Sequence, residues 1–100
     1  MSDHDEIADY DQRQYLRLRD CLLLFEGGQI ELRELVASMS ALIAALERVS
    51  EADRRALQSA WWHLEEVVAQ PDLKATERQT GIEQGTRLLG ELLGKLIKCA

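Results

Sequence analysis

The chain has 100 residues, a net charge of −6, 46% hydrophobic residues and only 5% aromatic ones. That length fits one domain, and the abundance of Leu, Ala, Glu and Arg favours helices over a sheet sandwich. Lys and Arg form no stripe, which argues against nucleic-acid binding, and no apolar run reaches the length of a membrane span.

Five of the 18 acids (Asp3, Asp5, Glu6, Asp9 and Asp11) fall in the first eleven residues, which hold no Lys or Arg. The remaining acids are nearly balanced by 12 Lys and Arg. Residues 1–9 are expected as a flexible acidic start or a first helical turn, with attraction of a basic partner as the functional alternative. The first helix is predicted from Asp9 or Asp11 to Phe25, its acids suiting the positive end of the helix dipole. Tyr15, Leu18, Leu22 and Phe25 form its apolar stripe, and Leu16, Leu23 and Leu24 are expected to widen it. Gly27-Gly28 ends it, because glycine takes the left-handed conformation cheaply.

The second helix carries Leu32, Leu35, Val36, Met39, Leu42, Ile43 and Leu46 at steps of three and four, with Val49 continuing them;. Glu31, Arg33 and Glu34 occupy its early polar positions and Glu47 and Arg48 its late ones, while Ile30 is placed as an N-terminal staple. In "SEAD", Ser50 reads as the N-cap of a third helix, with Asp53 where a capping box usually has Glu. That helix runs to Ala69, and Pro71 ends it by pushing the residue before it out of the helical region.

The fourth helix is predicted over 76–98, with Ile82, Leu89, Leu93 and Leu96 on one stripe, broadened by Leu88, Leu92 and Ile97. Gly85 lies on that stripe, where a missing side chain lets another helix approach closely. Gly90 and Gly94 lie one turn apart on a different face, a second line of close approach or merely a weak helix. Four helices with short loops give an all-α fold, a compact bundle of about four mainly antiparallel helices forming a single domain over 1–100.

The residues offer little chemistry. His4, Asp5 and Asp9 match no established metal spacing, and Ser59, His63 and Glu66 form a helical trio without a placed nucleophile. No glycine-rich phosphate loop is present. The sequence therefore predicts no metal, no cofactor and no enzyme activity. Cys21 and Cys99 lie far apart without CxxC or Cys/His spacing. With no apolar signal segment after Met1, they are expected to be reduced residues of a cytoplasmic protein.

The adjacent tryptophans of "AWWHLEE" require separate explanations. With Leu57 at zero and about 100° per residue, Trp61 falls near 40° and Leu64 near −20°, both on the core stripe. Trp62 falls near ~140°, among Gln58, Arg55, Glu66 and Ala69. Either a second neighbour covers it or it is offered to a partner, aromatic residues being enriched in binding hot spots.

The segments "LLLFEGGQIELRELV", "LIAAL" and "WWHLEEVVA" resemble a pattern of small all-helical bacterial proteins: an aromatic-Glu-x-Gly turn, Ile-x-Leu, a leucine-rich helix, and a Trp-x-x-Leu-Glu helix ending in Ala. Here these are Phe25-Glu26-Gly27, Ile30 and Leu32, then Trp61, Leu64, Glu65 and Ala69. Val68 departs from the pattern, where an aromatic is expected. Such proteins are similar to immunity proteins of contact-dependent growth-inhibition and related polymorphic toxin systems. The resemblance spans residues 18–69. It implies a cytoplasmic protein that binds a cognate toxin domain, often a basic nuclease, and covers its active site. The sequence pI of 4.8 suits such a partner;.

No partner-binding residue transfers by motif, so the candidates come from helix angles. They are Trp62 and Glu66, with Glu65 at the edge, then Glu31 and Glu34 at the start of the second helix. The alternative is a helical adaptor or regulatory protein, dimeric through the glycine-rich last helix; a small enzyme or metal protein is the weakest reading.

Overall fold

The computed structural model describes residues 3–98, and the side chains of residues 10–98. Four helices follow in order: α1 (Asp3–Glu26), α2 (Leu32–Ala44), α3 (Glu51–Ala69) and α4 (Ala75–Leu96). Each packs on two others, α1 on α2 and α4, and α3 on α2 and α4, with no diagonal contact among the described residues. The molecule measures 52 × 27 × 19 Å. Its two short dimensions are those of two helices by two, each about 10–12 Å across.

The core is the set of predicted stripes meeting at the centre. Leu18, Leu35, Met39, Leu57, Leu64 and Leu89 are fully buried, and Tyr15, Leu22, Leu32, Val36, Ile43, Leu46 and Leu93 surround them. Three leucines depart from expectation. Leu16, Leu23 and Leu24 do not widen the α1 stripe but face solvent, Leu23 by 57%. Each points roughly 120–160° away from Leu18 around the helix. A helix with only two neighbours has nothing there to bury them.

Two helix boundaries also move. α1 extends back to Asp3, so the backbone of the acidic stretch is helical from that residue. The side chains of Asp3, His4, Asp5, Glu6 and Asp9 lie outside those described, as does Cys99, and with them the readings made of His4, Asp5 and Asp9, of the acidic start and of Cys99. α2 stops at Ala44 rather than running on to Val49. Long-range side chains explain that stop. Arg54 of α3 donates from Nη1 to the Ile43 carbonyl at 3.0 Å and from Nη2 to the Leu46 carbonyl at 2.6 Å. Asp11 of α1 accepts from the backbone N–H groups of Glu47 at 2.9 Å and Arg48 at 2.7 Å. Arg54 thus meets one carbonyl of the last turn of α2 and one of the connection, and Asp11 takes up two N–H groups of that connection;. Glu47 and Arg48 belong to the connection, not to the helix.

Asp11 is therefore no tail acid; it is 5% exposed and built into the bundle. Its neighbour Gln12 reaches the other way. The Gln12 amide donates to the Leu96 carbonyl at 2.8 Å and accepts from the Lys98 N–H at 2.9 Å, where α4 ends. Near Asp11, burial holds the Tyr15 phenol above its ordinary pKa, with the Asp11 and Asp53 carboxylates adding to the rise and Arg54 opposing it;.

Other local expectations match. Ser50 Oγ accepts from the Asp53 N–H at 3.1 Å, capping α3;. Gly28 adopts φ 77° in the turn after α1;. Gly85 is buried where α4 crosses α3, and a Cβ built there would stand 2.6 Å from Leu64 Cγ. Gly81, one turn earlier, meets Val67 in the same way, whereas a Cβ at Gly90 finds only an ordinary contact with Leu22 at 3.9 Å. The second line of small residues is thus not used inside the molecule. Gly85→Ala should destabilise the fold by about 1–2 kcal/mol, overpacking outweighing the gain in helix propensity. Gly90→Ala should stabilise it by about 0.5–1 kcal/mol. Urea midpoints that moved the same way for both would refute this assignment.

Candidate partner-binding surface

α3 divides its surface among three directions. Ala60, Leu64 and Val67 turn inward and are buried. Trp61 leans towards α2, half-buried, and its Nε1–H donates to the Val36 carbonyl at 3.0 Å. Trp62 points outward and is 55% exposed. Among the described residues no second neighbour covers it, so the ring is not buried as a structural residue. The His63 ring meets Trp62 edge-on, with centroids 6.4 Å apart and planes at 71°;.

Between α2 and α3 lies a groove of about 390 Å³, lined by Ser40, Ile43, Ala44, Gln58, Trp61 and Trp62. Ile43 is buried at its floor, whereas Ser40, Ala44 and Gln58 are exposed at its edges. Trp62 is thus one wall of a concave site and not an isolated ring. The α2 contribution was not anticipated. Its signal was nonetheless present, since Ala37, Ser40, Ala41 and Ala44 put small residues along the outer side of an otherwise leucine-rich helix.

Glu65 and Glu66 follow Trp62 on α3, both half-buried. Gln70 Nε2 approaches Glu66 Oε1 at 3.5 Å, a long and weak hydrogen bond;. The two arginines that precede Trp62 on α3 are otherwise engaged. Arg55 pairs with Glu51 at 2.8 Å on the exposed face, and Arg54 is turned inward to the α2 carbonyls. Among the described residues no ion pair takes Glu65 or Glu66, so the charge left beside Trp62 is negative.

Glu31 and Glu34 are exposed on α2. Glu31 is the N-cap residue and lines a separate cleft with Phe25, Leu32, Arg33, Val68, Pro71, Arg78 and Ile82. Because α2 and α3 run antiparallel, that cleft sits at the end of the molecule where α3 stops. Glu65 and Glu66 thus follow Trp62 on the outer side of α3, Glu66 also lining a separate cleft against α4 with His63, Val67 and Gln70, whereas Glu31 belongs to the end cleft and not to the groove. Glu34, in the first turn of α2, lines neither the groove nor the cleft.

Ser59, His63 and Glu66 share no hydrogen bond, and the imidazole packs against Trp62 instead. No group of three or more His, Cys, Asp or Glu side chains among the described residues is arranged to hold a metal ion. No described helix is long and apolar enough to cross a membrane. Comparisons with protein-family models, with curated proteins and with solved structures find no match.

Proposed function

We propose that the protein is an immunity protein that binds a basic toxin domain, most simply a nuclease, through the outer face of α3 and covers its active site. The exposed Trp62, followed on α3 by two glutamates that make no ion pair among the described residues, carries this reading. A tryptophan costs little conformational entropy to fix on binding, and such residues dominate interface energetics. The acidic surroundings would speed encounter with a basic partner and make it salt-sensitive. The resemblance of residues 18–69 to small immunity proteins adds to this support.

The reading requires a reading frame upstream of the gene that encodes a large secreted protein with a toxin-like C-terminal domain. Co-expressing that domain with this protein should restore growth and give a stoichiometric complex. Glu65→Lys/Glu66→Lys should slow association about tenfold or more at low salt. Failure of the wild type to protect cells or form the complex would overturn the reading.

A second reading, a helical adaptor, draws on the α1 face opposite Trp62. There Leu16, Leu23 and Leu24 are exposed, and Gly90 and Gly94 leave the neighbouring side of α4 open. Sedimentation of the isolated protein separates the two: a stable dimer lost on Leu23→Glu would favour the adaptor.

A further inference from the structure

We infer that the groove between α2 and α3 receives an uncharged apolar side chain from a basic partner segment, with Trp62 closing over it. This rests on the immunity reading for the identity of the partner, but not for the chemistry of the groove.

The floor is set before anything binds. Ile43 is packed into the core at 4% exposure, and the Trp61 indole is held by its hydrogen bond to the Val36 carbonyl. That bond uses the indole's one donor. The floor therefore offers surface without hydrogen-bonding capacity, and a charged or amide side chain entering it would lose its water without replacement. The edge differs: the Ser40 hydroxyl and Gln58 amide are exposed and make no side-chain hydrogen bond among the described residues. They can meet the backbone or polar flanks of an incoming segment. At about 390 Å³ the groove lies towards the small end of the ~300–1,000 Å³ typical of ligand sites;. It is open to solvent along its length between α2 and α3, a shape suited to a side chain arriving on a larger body.

Charge selects the kind of body. Glu65 stands one turn on from Trp61 and Trp62 at the edge of the groove, and Glu66 lies behind Trp62 on the side of α3 that faces α4; among the described residues neither makes an ion pair, while Arg55 and Arg54 are occupied;. A second copy of this chain would bring another net charge of −6 against this acidic edge;. Like charges in that position oppose association. A segment carrying Lys or Arg around a leucine, isoleucine or methionine satisfies both the floor and the edge.

Two synthetic amphipathic helical peptides of equal length test this, one built from Leu and Lys and the other from Leu and Glu. Each is titrated into the full chain while amide NMR shifts and tryptophan fluorescence are followed. The Leu/Lys peptide should shift the signals of Ser40, Ala44, Gln58 and Trp62, and the Leu/Glu peptide should leave them unmoved. Ala44→Leu fills the groove from an exposed position and should weaken the Leu/Lys peptide by about tenfold or more. Glu65→Gln/Glu66→Gln should weaken it and flatten its salt dependence. Equal binding of both peptides, shifts confined to another face, unchanged binding by Ala44→Leu, or a dimer abolished by Ala44→Leu would each overturn the proposal. Should Ala44→Leu perturb folding, Ser40→Leu fills the same groove and carries the same expectation. No toxin enters this experiment, so its outcome is separate from the growth test. Growth protection retained by Ala44→Leu would discard the groove alone, and peptide binding without growth protection would discard the immunity reading alone.

Discussion

Replacing Asp11 with alanine is expected to remove about 2–4 kcal/mol of stability, although it deletes only one carboxylate from a helix surface. Hydrogen bonds to a charged group contribute roughly 1.5–3 kcal/mol each, and Asp11 accepts two from adjacent backbone amides;. Water can partly rescue those amides, because the bonds are only part-buried, which keeps the loss below the full sum. Alanine's better helix propensity returns a few tenths of a kcal/mol. Asparagine should lose about half as much, since its amide oxygen can still accept while its NH₂ group faces a donor. In a domain of this size each kcal/mol moves the midpoint by about 4–8 °C, so thermal unfolding resolves the series. An Asp11→Ala midpoint within about 2 °C of wild type would show that the connection after α2 holds without the carboxylate.

Trp62→Ala is expected to separate binding from folding. The ring is 55% exposed and its indole N–H donates to no acceptor among the described residues. Its loss should cost below about 1 kcal/mol of stability, against the ~3–5 kcal/mol typical of a buried tryptophan. Binding to the toxin domain should fall by about 2 kcal/mol or more, roughly thirtyfold, if the ring anchors the interface. Trp61→Ala provides the contrast. It empties the groove floor and orphans part of the α2 packing, so stability should drop by several times as much. Denaturant titration and calorimetric binding on the two variants are decisive together. A Trp62→Ala protein that binds as wild type would remove the ring from the interface, and one that unfolds readily would make it a structural residue.

The elements whose cause is local were legible in the sequence. Ser50 caps α3 because its hydroxyl accepts from the free backbone N–H three residues on, and Gly85 marks the α3–α4 crossing because it sits on an apolar stripe;. The misplaced features depend on residues distant along the chain. Leu46 and Val49 keep helical spacing, yet the chain turns there because Asp11 and Arg54 take up its backbone groups. Periodicity gives the direction of a stripe but not the number of helices around it, and so Leu16, Leu23 and Leu24 were placed inside. The angle of Trp62 left its exposure open for the same reason. Asp11 could have been found: it lies about 20° from Leu18 around the helix, an acid on the core stripe. Its grouping with the acids before it hid that position. Of the candidate site, Trp62, Glu65 and Glu66 followed from one helix, whereas the α2 half of the groove required knowing which helix lies alongside.

Gln12 has a consequence for how the molecule is made. Its bonds to Leu96 and Lys98 join residues separated by 84 and 86 positions. α1–α2, α2–α3 and α3–α4 pair neighbours in sequence and can form in the order of synthesis;. The fourth side, α1 against α4, waits for the longest loop to close. Until then the face of α1 that will meet α4, with Leu22 and Tyr15 on it, has no cover. The nascent chain is thus most adhesive in its first helix, over the interval between the emergence of α1 and that of α4.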